Sequence, residues 1–173
     1  REIEPLVRDW PVRRGSRSDG FMIFECDRAI AVCAGMGRER ITHAFTLAEA
    51  QGPIRSIISV GYAGALHSGI RKSMIYWPAT VIDAETGERY ECEDGSSTIV
   101  TAERILGREE KLQMAQRWNA DLVDMEAATV ARLAQTRGLP FRTLRAVSDE
   151  AGDVLPDLNR FMDTRGGFRQ VAF

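Results

Sequence analysis

A chain of 173 residues with 44% hydrophobic and 28% charged side chains is ordinary for a globular protein and long enough for one domain, 1–173, with a real core. The net charge of −2 argues against a broad nucleic-acid surface, and the small Arg13, Arg14, Arg17 cluster reads as a solvated loop. No apolar run approaches the roughly 20 residues of a membrane span, and the three cysteines, Cys26, Cys33 and Cys92, lack metal-ligand spacing. Their odd number suits reduced thiols and a cytoplasmic location, with Cys26 and Cys33 as small core residues.

The chain opens on Arg1 without a signal-peptide pattern. Ile3, Leu6, Val7 and Trp10 fall at helical spacing, so a helix is expected over 1–10, with a strand before it. Pro11 to Gly20 reads as a polar loop. Phe21–Cys26 and Ala29–Ala34 flank Asp27-Arg28 as a hairpin. After Gly35-Met36-Gly37, the stripe Ile41, Ala44, Phe45 and Ala48 predicts a helix from Arg38 to Gln51, stopped by Gly52-Pro53. Ser56–Val60 suits a central strand ending in the glycine turn Gly61-Tyr62-Ala63-Gly64. Short strands are expected at 74–77, 80–84, 89–92 and 98–101. A helix follows over 108–118, burying Leu112, Ala115 and Trp118. The next helix is expected from Asp124 to Arg137, with Ala127, Val130, Ala131 and Ala134 on its packed face. Gly138 and Pro140 end it. Phe141–Val147 is then a buried strand closed by Ser148-Asp149, and the tail from Glu150 is loop-like, with Leu155, Leu158 and Phe161 able to form one short helix. This alternation is an α/β rhythm, in which ligands gather beyond the carboxyl ends of strands.

Two kinds of residue point to chemistry. Gly35 and Gly37 precede a helix, where backbone N–H groups favour an anion or a sugar oxygen; a purely structural turn explains them as well. Gly61 and Gly64 carry the same pair of readings. Glu126 at the head of one helix and Asp149 just past one strand come to the same end of the layer as a candidate catalytic pair. The alternatives are interaction with the helix dipole for Glu126 and a turn cap for Asp149. Arg142 and Arg145 lie in a strand that should be buried, so at least one needs an ion-pair partner. His43 lies off the apolar stripe and should be exposed. No Ser/His/Asp triad, metal set or Walker loop is visible.

Three motifs resemble those of the nucleoside phosphorylase and nucleosidase superfamily, the family of purine nucleoside and uridine phosphorylases and of methylthioadenosine/S-adenosylhomocysteine nucleosidase. Val123–Asp153 resembles its V-(D/E)-M-E helix followed by a strand ending in R-A-(I/V)-S-D. Ala34–Arg38 (AGMGR) is similar to its S-G-(I/M)-G-(K/R) turn, and Ser59–Leu66 (SVGYAGAL) to its strand end before G-x-A-G-x-L. The motifs occur in the family's order.

The resemblance implies an α/β fold, a three-layer α/β/α sandwich around a mixed, partly barrel-like sheet, and cleavage of an N-glycosidic bond. It makes Asp149 the acid that protonates the purine and Glu126 the carboxylate that grips the ribose hydroxyls while the sugar becomes oxocarbenium-like. Met125 would pack on sugar and base, with Ile105 and Leu106 near the purine. Gly35 and Gly37, Tyr62 and Ala63, and Ser148 complete the implied substrate contacts. Glu2 matches the glutamate that activates water in the nucleosidases, although a surface glutamate explains it equally.

The phosphorylase pattern R-V-G-S is replaced here by Ser59, Val60, Gly61 and Tyr62. The bulk of Tyr62 favours water over phosphate, with Arg38 as the phosphate ligand if phosphorolysis holds. The expected reaction is hydrolysis of a 5′-substituted adenosine, adenosylated lipids included. The alternatives are phosphorolysis and a non-catalytic nucleoside binder. No cofactor or metal is implied beyond phosphate as a possible co-substrate. A homo-oligomer is implied, with no nucleic-acid partner. The chain is short for the family, so a first strand and last helix are expected to be missing.

Overall fold

The computed structural model describes residues 4–14, 21–33, 35, 37–156 and 159. A short helix α1 (Glu4–Val7) precedes a small antiparallel sheet of β1 (Val12–Arg14), β2 (Met22–Cys26) and β3 (Ala29–Cys33). Helix α2 (Arg38–Glu49) leads into β4 (Ile57–Ala65), β5 (Ile75–Tyr76), β6 (Pro78–Asp83), β7 (Arg89–Glu91) and β8 (Ser97–Thr101). Then come α3 (Arg108–Trp118), β9 (Leu122–Asp124), α4 (Ala127–Gln135) and β10 (Phe141–Asp149). The main sheet has seven strands in the order β5-β10-β4-β9-β8-β6-β7. It is mixed: β10 runs parallel to β4, and β8 parallel to β6 and β9, while β5, β7 and the β4–β9 pair are antiparallel. The sheet is curled as a half-barrel.

Side-chain alternation sorts the strands' residues to two faces. Val81, Ile99 and Leu122 point to a core shared with Ala127, Ala128, Ala131 and Ala134 of α4, where the small side chains allow close approach of helix to sheet. Ile82, Val100 and Val123, each one residue later, join Ala115 of α3 on the other face. Helices therefore cover both sides of the sheet. Phe21 and Ala44 join the small sheet to α2 with Val32, Ile41 and Leu47.

Several expectations are corrected. The hairpin forms as expected, and it is joined by β1, which lies in the segment read as loop. The helix expected over 1–10 is only the turn Glu4–Val7 among the described residues. β4 does not stop at Gly61: it pairs with β10 through Gly64 and with β9 at Gly64 and Ala65, so the presumed glycine turn is strand. The helix read from Asp124 starts at Ala127, because Leu122–Asp124 pairs on both sides, with β8 and β4. In α3, Leu112 is 59% exposed and the buried position is Lys111. Cys26 and Cys33 are half-buried rather than core. His43 is exposed, as expected. No helix among the described residues is long and apolar enough to cross a membrane. Leu158 and Phe161 lie outside the described residues.

Candidate active site

A buried ion pair sets the end of the sheet. Arg145, 1% exposed in the middle of β10, donates from Nε and Nη2 to Asp124 Oδ2 at 3.0 and 2.7 Å. The same guanidinium reaches the Ser59 carbonyl and hydroxyl, both at 2.9 Å, so its donors are spent within the scaffold. Thr101 donates to the other Asp124 oxygen at 2.7 Å. Asp124 and Thr101 in turn accept the first backbone N–H groups of α4, from Ala127 and Ala128, both at 2.9 Å. The start of α4 is thus capped from residues outside it. Glu126 occupies the N-cap position, yet its side chain does no capping. Met125 and Glu126 form the turn between β9 and α4, and both line a cleft of about 730 Å³. Of the two strand arginines, Arg142 is the surface one, paired with Glu93 and Asp94 at 3.3 and 2.7 Å.

Asp149 ends β10 on the same cleft. Its register with β4 shifts between Val147 and Asp149, where Ser148 bulges out of the ladder. Such a bulge re-aims the side chains at a strand's end. Ser148 Oγ lies 2.5 Å from Asp149 Oδ1 and 3.2 Å from the Ala63 carbonyl. The other carboxylate oxygen bonds Lys111 Nζ, which also donates to the Glu150 carbonyl at 3.0 Å. The Lys111 side chain is 2% exposed and that of Asp149 16%. Gly64 makes room for this pair: a Cβ there would come within 2.9 Å of Asp149 Oδ2 and 3.4 Å of Lys111 Nζ.

Eleven of the sequence candidates lie among the described residues and fall into two groups. Gly35, Tyr62, Ala63, Ile105, Leu106, Met125, Glu126, Ser148 and Asp149 all line the cleft. Arg38 is not among the lining residues; its guanidinium bonds Asp83 at 3.1 Å and Glu85 at 2.9 Å, beside a shallower hollow over α2. Gly37, the remaining position of the first glycine turn, is also absent from the lining: it is the N-cap of α2 with φ 96°, and Gly35 has φ 78°. The backbone alone requires glycine at both. Glu2, Ala34 and Met36 lie outside the described residues. Ile105 is held by Asn159, which both donates to and accepts from its backbone, at 2.9 and 3.0 Å. Tyr62 is 51% exposed at the cleft.

Sequence reasoning missed Lys111 and Asp124. The signal for Lys111 was its spacing four and seven residues before Ala115 and Trp118, which puts a lysine on the packed face of α3. For Asp124 it was the need of a buried arginine for a partner. Burial pushes the Cys92 thiol up to about 11, so it is no nucleophile at neutral pH. Among the described residues no group of three or more His, Cys, Asp or Glu is arranged to hold a metal.

The family model of the phosphorylase superfamily matches residues 89–170, which include α3, α4, β10 and the Asp149 end of the cleft. No curated protein sequence matches the chain. Solved structures do. A mutant of the Helicobacter pylori nucleosidase MTAN, with 5′-methylthioadenosine in its active site, aligns at TM-score 0.74 and 17% identity over 87% of this chain and 81% of that one. A futalosine hydrolase mutant of Helicobacter pylori aligns at TM-score 0.74 and 16% identity over 92% and 88%. The Campylobacter jejuni 5′-methylthioadenosine/S-adenosyl homocysteine nucleosidase aligns at TM-score 0.70 and 16% identity over 89% and 82%. At these identities the likeness is one of fold.

Proposed function

We infer from the match of residues 89–170 to the phosphorylase superfamily model, together with the cleft, that this chain cleaves the N-glycosidic bond of a nucleoside, by hydrolysis of a 5′-substituted adenosine with release of adenine. The observation that carries this reading is the delivery of Asp149 and Glu126 to one cleft by two elements locked together through Arg145 and Asp124. A purine leaves poorly as an anion. A proton delivered to the ring from Asp149 lets it leave neutral. As the C1′–N9 bond opens, positive charge develops on the sugar, and Glu126 stabilises it while holding the ribose hydroxyls. Water then adds to C1′. Met125, Ile105 and Leu106 supply apolar walls for the flat base, and Tyr62 stands beside the sugar.

Water is favoured over phosphate by the commitments of the cations. Among the described residues lining the cleft, Arg145 is bonded to Asp124 and Ser59, Arg104 to Glu110 at 3.0 Å, and Lys111 to Asp149. Phosphate binding needs charge-assisted donors directed at the anion, and these are already engaged. The reading needs no cofactor, and it carries a homo-oligomeric assembly and a cytoplasmic location as expectations.

The test is an assay of adenine release from 5′-methylthioadenosine with and without phosphate. Release at the same rate in both conditions is expected. Accumulation of a sugar 1-phosphate would transfer the protein to the phosphorylases. Asp149→Asn is expected to lower kcat by roughly 10²–10⁴-fold, the range of a lost general acid. An Asp149→Asn protein of ordinary activity would remove the acid from the mechanism.

A further inference from the structure

The proposed acid is already engaged by its neighbours in the resting protein. Both Asp149 oxygens face donors: Ser148 Oγ at 2.5 Å on Oδ1 and the Lys111 ammonium on Oδ2. Lys111 is buried on α3, 1% exposed, and also donates to the Glu150 carbonyl at 3.0 Å. A lysine costs free energy to bury and is found there when it is paired. Here it is paired to the very carboxylate that lines the cleft, and Gly64 leaves the space both groups need.

We propose that Lys111 is the positioning residue of the site and the source of its proton, passing one from Nζ through Asp149 to the leaving base. The proposal rests on the nucleosidase reading. One proton moves from Lys111 Nζ to Asp149 Oδ2, leaving a neutral amine, and a carboxyl proton moves to the ring nitrogen of the base. The C1′–N9 bond breaks with its electron pair going to the base, which departs neutral. A water oxygen bonds C1′ and sheds one proton, and the uptake of one proton by Lys111 from solvent closes the cycle. The sum is nucleoside plus water giving sugar plus base. Other charges around the pair are mutually matched: Lys72 with Asp153 at 2.9 Å and Arg71 with Glu150 at 2.9 Å. On α3 itself, Glu110 next to Lys111 pairs outward with Arg104.

The experiment compares kcat, KM and their pH dependence for wild type, Lys111→Met and Lys111→Arg on 5′-methylthioadenosine, with thermal melts as a check of folding. In Lys111→Met the carboxyl has to carry the proton alone. Its kcat is expected to fall roughly 10²-fold at neutral pH and to recover toward acid pH, so that the high-pH limb moves down, with KM little changed. Lys111→Arg keeps the cation but does not surrender its proton, so kcat is expected to stay low at every pH. Should Lys111→Met not fold, the arginine variant decides alone. Wild-type kcat in Lys111→Arg, or an unmoved pH profile in Lys111→Met, overturns the role of Lys111 and leaves the nucleosidase reading standing. A wild-type protein that cleaves no 5′-substituted adenosine overturns that reading itself, and the role of Lys111 with it.

Discussion

At Gly64 a missing side chain is what lets two others meet. Its backbone lies in register with Asp149 on one side and Val123 on the other, inside a continuous strand. A methyl group at 2.9 Å from Asp149 Oδ2 and 3.3 Å from Lys111 Cε leaves no room for the pair as it stands. Gly64→Ala should therefore displace the carboxylate by part of an ångström without touching the ribose side of the cleft. A misplacement on that scale can cost about 10²-fold in rate. The expected result is a kcat lowered by about that factor with KM nearly unchanged. Steady-state kinetics with a melting curve distinguish this from simple unfolding.

The elements β9, α4 and β10 act as one unit because Asp124, the last residue of β9, bonds to the other two. Its carboxylate accepts from Arg145 of β10, from Thr101 of β8, and from the Ala127 N–H that opens α4. The side chains of Arg145 and Asp124 are 2% and 0% exposed, so neither charge has water to fall back on. Removing one partner of such a pair costs about 3–5 kcal/mol. Asp124→Ala is expected to lose stability on that scale in urea unfolding. It should also loosen the Met125-Glu126 turn, raising KM for the nucleoside in whatever fraction remains folded. The helix expected from Asp124 onward had the right packed face and the right end. Its start was misplaced because β9 runs on through Asp124, paired with Thr101 of β8, and this distant pairing outweighed local helix propensity in a way that a linear pattern does not display.

For the whole molecule, acid sensitivity follows from its carboxylates. Burial pulls the Asp83 carboxyl up, but hydrogen bonds from the Arg38 guanidinium and the Glu85 N–H override it and hold the group below its ordinary value. The Arg137 guanidinium does the same for Glu49, and Arg104 with the Gly107 N–H for Glu110. A carboxyl lowered in the folded state contributes stability above its unfolded value and loses it as pH falls through the folded one. The unfolding midpoint in urea should therefore hold steady toward neutral pH and drop below about pH 4. Asp83→Asn should be less stable than wild type at neutral pH and show a shallower acid limb. An acid limb identical to that of wild type would take Asp83 out of the titration.

Apart from β1 and β9, the order of elements was legible in the amino-acid sequence, as were the packed face of α4, the chemistry at its end and the arrival of Glu126 and Asp149 at one end of the layer. Each is written in local terms: the 3.6-residue spacing of small apolar residues, Gly138 and Pro140 after the last turn, and the motifs around Glu126 and Asp149. What only the tertiary structure decided is which charges meet. Lys111 lies 38 positions before Asp149, Asp124 lies 21 before Arg145, and Arg38 lies 45 before Asp83. Each pairing depends on strand register and on which helix face is buried. A shift of one residue in a strand reverses every side chain. Arg38 is the clearest case: its place beside a glycine turn suggested an anion ligand, and the fold gives its guanidinium to Asp83.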